Sequence, residues 1–205
     1  MTTTLTRRKW RVPTALLVLT AVPVLAGAAR LTELGSGPEA TADNARFLAA
    51  PVPIVLHIVG ASLYCVLGAF QFLRGPRHRV FGRAIVLCGL AGALSGIWMA
   101  LVYPLPAHDS ALSVALRVGF GTAMAVALVL GFLAVRWRDF AAHRAWMIRG
   151  YAIGQGAGSQ AVVFGLWAAF AGAATDQLTF ALLLGAGWVL NLVVAEWIIR
   201  GRETR

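Results

Sequence analysis

Long apolar runs that alternate with arginine-rich loops constrain the fold of this chain most strongly. Apolar residues make up 59% of the 205 residues, and charged residues make up 13%. A soluble domain usually carries about 25% charged residues. A run of about 20 apolar residues is long enough to cross a bilayer as a helix. The sequence therefore predicts an all-α, polytopic integral membrane helical bundle.

Six such runs predict a single transmembrane domain at 12–199, between a basic N-terminal segment at 1–11 and a tail at 200–205. The predicted spans are 12–29, 51–73, 84–103, 114–135, 150–173 and 178–199. The first run has a second interpretation, because its basic start and the sequence Ala26-Gly27-Ala28 also suit a signal peptide. The run exceeds the usual signal-peptide core of about 7–15 residues, which favours an uncleaved helix.

The distribution of positive charge predicts the orientation of the bundle. Of the 18 lysine and arginine residues, all but Arg30, Arg46 and Arg117 fall on one side of the predicted helices. Lysine and arginine accumulate on the cytoplasmic side of membrane proteins, so both termini are expected in the cytoplasm. The net charge of +10 is divided among several loops and forms no single basic face. This pattern excludes nucleic acid as an expected partner and leaves the lipid bilayer.

Two of the arginine-rich loops form an internal repeat. One reads RGPRHRVFGR at 74–83, and the other reads RWRDFAAHRAWMIRGY at 136–151. Each loop joins two apolar runs that cross the membrane in the same order, and each contains a His-Arg pair. Selection for positive charge in cytoplasmic loops explains the arginines. It does not explain a histidine in both loops.

The two histidines, His78 and His143, each begin a stripe of small residues at helical spacing. The stripes contain Gly82, Gly89, Gly92 and Gly96 after His78, and Gly150, Gly154 and Gly158 after His143. Such stripes let membrane helices pack closely. Pro76 and Asp139 suit the first turns of the two helices. Two interpretations remain open for the histidines: a cofactor or metal site formed with Arg79 and Arg144, or interfacial hydrogen bonds to carbonyls or lipid headgroups.

His57 lies on a second polar face, inside the predicted second span. Ionisable residues within membrane helices are energetically costly and are therefore functional candidates, although a helix–helix hydrogen bond is the alternative. At 1.5 Å per residue, His57 lies about 9 Å along the helix from Pro51, and Arg74 lies about 25 Å further on. The sequence therefore predicts two levels of histidines. The outer level holds His57, with His108 or Arg117 near it, and the inner level holds His78 and His143.

The remaining polar residues of the spans have structural interpretations. Glu196 is expected to pair with Arg200 four residues later, and Asn191 to make an interhelical hydrogen bond. Cys65 and Cys88 lie in apolar runs without CxxC spacing, so both are expected to be thiols that pack as small apolar side chains. The sequence contains no hydrolase, kinase or nucleotide-binding motif.

Several short strings of the sequence resemble one bacterial family. These strings are His57-Ile58, GAFQF at 68–72, His78-Arg79 with Gly82-Arg83, and HRAWMIR at 143–149. They resemble a multi-pass membrane family catalogued as domain of unknown function 2306 (DUF2306), over roughly half of the chain. The resemblance implies a bacterial inner, or plasma, membrane protein and brings no established reaction. The chain is more weakly similar to b561-type cytochromes, which hold two haems with histidine pairs at two membrane levels.

Two classes of function remain as hypotheses. The first is a redox or cofactor-binding protein that holds haem b, a quinone or a metal at His57, His78 and His143, with Arg79 and Arg144 beside the inner pair. Neutral imidazole is a good ligand for such metals, and arginine binds carboxylates in a bidentate manner. The second is a non-enzymatic protein, such as a small transporter or an assembly partner, whose His-Arg loops bind lipid phosphates or a protein.

Overall fold

The computed structural model describes residues 2–73, 78–172 and 176–203 of the chain. These residues form helices joined by short connections, without a strand in the described ranges. The helices are α1 (Thr2–Gly35), α2 (Ala45–Ala49), α3 (Pro51–Gln71), α4 (His78–Val102), α5 (Ala111–Arg136), α6 (Phe140–Gly154), α7 (Gly156–Ala171) and α8 (Gln177–Glu203). Pro76 lies outside the described residues. The connection between the fifth and sixth expected spans, at 174–177, lies partly outside them.

Five of the helices are long and apolar enough to cross a membrane. The candidate spans are Trp10–Gly35, Pro51–Gln71, His78–Val102, Ala111–Arg136 and Gln177–Gly201. The helix Gly156–Ala171 is apolar but shorter. The prediction of an all-α membrane protein with several spans is therefore confirmed.

The expected fifth span, 150–173, is divided between two helices, α6 and α7, which meet at Gln155. α6 begins ten residues before the expected boundary, where the Asp139 carboxylate accepts a hydrogen bond from the Ala142 amide at 2.9 Å. This cap was predicted. The break has a local cause, because Gln155 stands between two glycines, which destabilise a helix interior. The Gln155 side chain is 3% exposed and is bonded inside the protein, which holds the break in place.

Polar contacts of Gln155 connect three helices around the break. Thr20 of α1 donates to Oε1 of Gln155 at 3.0 Å. The Gln155 amide donates to Oη of Tyr151 at 2.8 Å, and Tyr151 donates to the Cys65 carbonyl of α3 at 2.6 Å. Among the described residues, Oε1 of Gln71 is the one buried side-chain polar atom without a hydrogen-bond partner. The buried polar groups around Gln155 are all bonded, as the interior of a membrane protein requires.

The helices run antiparallel, so that the connections collect at two ends of the bundle. At one end, which we call the mouth side, Tyr103 donates to the Ala50 carbonyl, and Gln177 donates to the Ala107 carbonyl. At the other end, which we call the arginine side, Trp10 of α1 makes an edge contact with Phe70 of α3. α3 packs closely on α4 and α1, and α5 packs closely on α4 and α6.

The small-residue stripes pack as the sequence predicts. A Cβ at Gly89 would lie 2.7 Å from the Tyr64 ring, and a Cβ at Gly92 would lie 3.1 Å from the backbone of Ala61. Gly150 approaches Leu128 and Tyr64 in the same way. Gly82 is the exception, since its nearest neighbour would be 4.0 Å away. The stripes therefore bring α3, α4, α5 and α6 together around the buried Tyr64 and Leu128.

Candidate functional site

A cavity of about 450 Å³ lies on the mouth side, lined by residues of α2 to α8. Its volume falls in the range of about 300–1,000 Å³ that is usual for small-molecule sites. The polar residues of its lining include Arg46, His57, His108, Asp109, Arg117 and Gln160. Its aromatic residues are Phe47, Tyr64, Tyr103 and Trp188. The residues expected at the outer level, His57, His108 and Arg117, thus line one cavity.

His57 is held against α4 by its ring. Nδ1 lies 2.8 Å from the carbonyl oxygen of Gly92. A carbonyl can only accept a hydrogen bond, so Nδ1 carries the proton and donates. In the neutral ring Nε2 then presents a lone pair. Gly96 makes room for this arrangement, because a Cβ there would lie 3.1 Å from Cε1 and Nδ1 of the ring.

An ion pair stands at the mouth of the cavity. Arg117 donates to the Asp109 carboxylate at 2.7 Å, and the Ser113 hydroxyl donates to the same carboxylate at 2.9 Å. Burial raises the pKa of Asp109, but the hydrogen bonds from Arg117 and Ser113 outweigh it and hold that pKa below its ordinary value. Arg117 was expected near His57 at the outer level. It lines the cavity while it is bound to Asp109.

We expect Asp109→Asn to lower the free energy of unfolding by about 1–3 kcal/mol at pH 7, because it leaves Arg117 without its anion. A carboxyl whose pKa is depressed in the folded state stabilises the fold above its unfolded pKa, near 3.9. That stabilisation is lost as the pH falls through the folded pKa. Thermal unfolding in mild detergent should therefore separate the wild type from Asp109→Asn at pH 7, and less so below about pH 4. An equal difference at both pH values would contradict this prediction.

Arg46 supplies a second positive charge at the mouth. Its guanidinium lies 4.6 Å from the ring centre of Phe47, and Nη1 is 3.5 Å from the Pro104 carbonyl oxygen. The second contact is too long to be a strong hydrogen bond. Arg46 belongs to no ion pair among the described side chains. With Arg117 neutralised by Asp109, the mouth carries a net positive charge.

The interior of the cavity is apolar and aromatic, and its polar side chains are engaged. The Gln160 amide donates to the Leu184 carbonyl at 2.9 Å, and the Cys65 thiol donates to the Gly154 carbonyl at 3.3 Å. Trp188 stacks on Phe120 with 4.8 Å between ring centroids. Both Cys65 and Cys88 are free thiols, as expected.

The inner-level residues lie on the arginine side. Nδ1 of His143 is 2.7 Å from the Gly131 carbonyl oxygen, so this histidine has the carbonyl bond that one of its two interpretations predicted. His78 and Arg79 lie exposed at the start of α4, and Arg144 is half-buried on α6. Within the described part of the chain, α4 and α6 are not one of the closely packed helix pairs. A cofactor-binding role for these residues stays a prediction.

Glu196 has a closer partner than the one expected. Nε of Arg149 lies 2.6 Å from Oε1 of Glu196, and Nη2 lies 3.1 Å from Oε2. Arg200, the expected partner, lies 3.9 Å from the same carboxylate. Arg149 is distant in sequence, so helical spacing could not reveal it. Asn191 bonds to α6 and α7 as predicted, through the Ala152 carbonyl at 3.0 Å and the Ser159 hydroxyl at 2.6 Å.

Metal ligands do not gather in the described residues, which contain no group of three or more His, Cys, Asp or Glu side chains suited to a metal ion. The cavity itself contributes His57, Cys65, His108 and Asp109. Of these, Asp109 is bound to Arg117, and the His108 ring packs against Phe180 at 4.6 Å. The arrangement places one imidazole, that of His57, in the apolar interior and the other, that of His108, at the mouth.

A comparison with known proteins covers most of the helical bundle. A family model described as "Predicted membrane protein (DUF2306)" matches residues 54–199, which include every element that lines the cavity except the segment at 46–47. The match extends further towards the C-terminus than the strings that suggested it. No curated protein matches the chain, and no solved structure does, so the likeness to b561-type cytochromes is not shown. The chain belongs to the DUF2306 family of predicted membrane proteins.

Proposed function

We propose that this protein binds one small, lipid-soluble molecule of the quinone class in the mouth-side cavity, with His57 as its polar anchor. The observation that carries the proposal is the fixed His57 ring below a charged mouth, in an interior lined mainly by apolar and aromatic residues. Small-molecule sites commonly combine such walls with a few oriented polar groups. Trp188, a half-buried residue of the lining, offers an aromatic surface for such a molecule.

The other cofactors considered for the histidines have less support. Haem b held by two histidines needs a second ring across the cavity from His57. The second histidine of the lining, His108, stands at the mouth against Phe180. A metal needs several ligands, and the described residues contain no group of three or more side chains suited to a metal ion. A molecule of the quinone class, in its quinone or quinol form, needs only one polar contact and space for its ring.

Filling the cavity tests the proposal. Ala157 lines the cavity, and we expect Ala157→Phe to weaken binding of a short-chain quinone, measured by calorimetry on protein in nanodiscs, by at least about tenfold. The matched control is Ala168→Phe, on the same helix and exposed but outside the lining. The control should bind like the wild type. Unchanged binding in Ala157→Phe, or no binding of either the quinone or its quinol by the wild type, would contradict the proposal.

A small transporter is the second candidate, and the break between α6 and α7 favours it. Broken helices beside a central site are a recurring feature of secondary transporters. Gly154, Ala157 and Gln160, on both sides of the break, line the cavity. A transporter should expose the site to both membrane sides in turn. Ala157→Cys should then react with impermeant thiol reagents from either side, and reaction from the mouth side alone would favour a binding protein.

The orientation of the bundle belongs to the same proposal. The count of positive charges supports a cytoplasmic arginine side. With α6 and α7 together as the fifth crossing, the chain crosses the membrane six times, and the family resemblance favours a bacterial plasma membrane. Reporter fusions at Ser36, His108 and Asp176 should read outside, and a fusion at Asp139 should read inside. An outside reading at Asp139 would reverse the proposed orientation and place the cavity mouth in the cytoplasm.

A further inference from the structure

The hydrogen bond of His57 restricts what the ring can bind. Because the Gly92 carbonyl oxygen carries no hydrogen, the 2.8 Å contact requires a proton on Nδ1. An imidazole is mainly neutral at pH 7 and above, so Nε2 then has a lone pair and no hydrogen. The edge of the ring that carries Nδ1 and Cε1 faces α4 near Gly96, which leaves Nε2 for a ligand. His57 therefore offers a hydrogen-bond acceptor.

Two other polar side chains of the lining, Gln160 and Cys65, do not supply a hydrogen-bond donor to a ligand beside His57. The Gln160 amide is bonded to the Leu184 carbonyl, and the Cys65 thiol is bonded to the Gly154 carbonyl. Tyr64 stands seven residues after His57, about 10 Å further along the helix. Its hydroxyl lies beside Gly150, towards the closed end of the cavity. The guanidinium donors of the lining, Arg46 and Arg117, and its second imidazole, His108, stand at the mouth, where Arg117 donates to Asp109. Beside His57 the site thus presents a lone pair.

We infer that the site prefers the reduced, hydroxyl-bearing form of its ligand, a quinol, over the oxidised quinone. The inference rests on the proposed function and specifies its ligand. A quinol hydroxyl donates to Nε2 of His57. A quinone carbonyl at the same place sets one lone pair against another and leaves both without a partner. An unmade hydrogen bond in an apolar site costs more than a made one gains, so the difference between the two forms is large.

The direct test compares the two redox forms on purified protein in nanodiscs. A short-chain quinol, kept reduced under anaerobic conditions, should bind at least about tenfold more tightly than the quinone at pH 7.5. A second pair of ligands, an alkylphenol and an alkylbenzene, tests the hydroxyl without electron transfer. The alkylphenol should bind about tenfold more tightly than the alkylbenzene that lacks its hydroxyl.

Variants assign the preference to His57. In His57→Leu both ratios should fall to near one, whereas Gln160→Leu should keep them. His57→Gln retains a carbonyl acceptor and should restore part of the preference, which provides a second variant if the leucine protein is unstable. Equal or tighter binding of the quinone by the wild type would overturn this inference and leave the proposed function standing. Absence of binding by all four ligands would overturn the proposed function itself.

Discussion

Gly60→Leu should disrupt the contact between α3 and α4 and destabilise the protein by about 3 kcal/mol or more. A Cβ at Gly60 would lie 2.8 Å from the Cys88 carbonyl oxygen and 2.9 Å from the Gly92 amide nitrogen. Both are backbone atoms, so no side-chain rotation can relieve the overlap, and the helices must separate. The separation also displaces the Gly92 carbonyl that orients His57. We therefore expect a lower melting temperature together with weaker ligand binding.

The control for this prediction is Gly119→Leu. A Cβ at Gly119 would have no neighbour within 4 Å, and Gly119 also lies within a long apolar helix. Leucine favours a helix over glycine by about 1 kcal/mol, so this variant should be neutral or slightly stabilised. Thermal unfolding in detergent, followed by circular dichroism, compares the two. A Gly60→Leu protein as stable as Gly119→Leu would show that α3 and α4 are not in close backbone contact at Gly60.

Leu128→Ala should destabilise the fold by about 2 kcal/mol or more. Leu128 is 0% exposed and fills the space in front of Gly89 and Gly150, where α4, α5 and α6 meet. Lipid is as apolar as leucine, so in a membrane the loss comes from packing contacts and not from transfer to water. The helix backbones at Gly89 and Gly150 already lie close to their neighbours. They can therefore move little to fill the cavity that Leu128→Ala would leave.

The control for this second prediction lies on the same helix. Leu112 is 42% exposed, and Leu112→Ala should change the free energy of unfolding by less than about 0.5 kcal/mol. Titration with a denaturing detergent should place the midpoint of Leu128→Ala well below that of Leu112→Ala. Similar midpoints would mean that Leu128 is not part of a tightly packed core.

Much of the fold follows from the sequence because a membrane imposes simple rules. Length and hydropathy predict the helices, and small residues at helical spacing predict which faces pack, as Gly89 and Gly150 do. The break at Gln155 was missed, since overall hydropathy at 150–173 does not register one polar residue between two glycines. A glutamine between two glycines, within an apolar run, was the local signal that could have revealed the break.

The candidate site could be predicted only in part. An ionisable residue inside a span identified His57, and helix geometry separated it from His78 and His143. The sequence could not reveal that His57 shares a cavity with Arg46 and Gln160, because these residues come from α2 and α7. Contacts between distant elements, such as Arg149 with Glu196, follow from packing and not from spacing.

The central claim is that a small lipid-soluble molecule occupies the mouth-side cavity beside His57. Photoaffinity labelling with a short-chain azidoquinone, followed by peptide mapping, tests it most directly. Label should appear on cavity-lining residues of α3, α4 and α7, such as Ile54, Ile97 and Ala157, and excess unlabelled quinone should compete for it. Ala157→Phe should abolish the label, and Ala168→Phe should keep it. Label confined to lipid-facing residues such as Leu182 and Val193, without competition, would contradict the account.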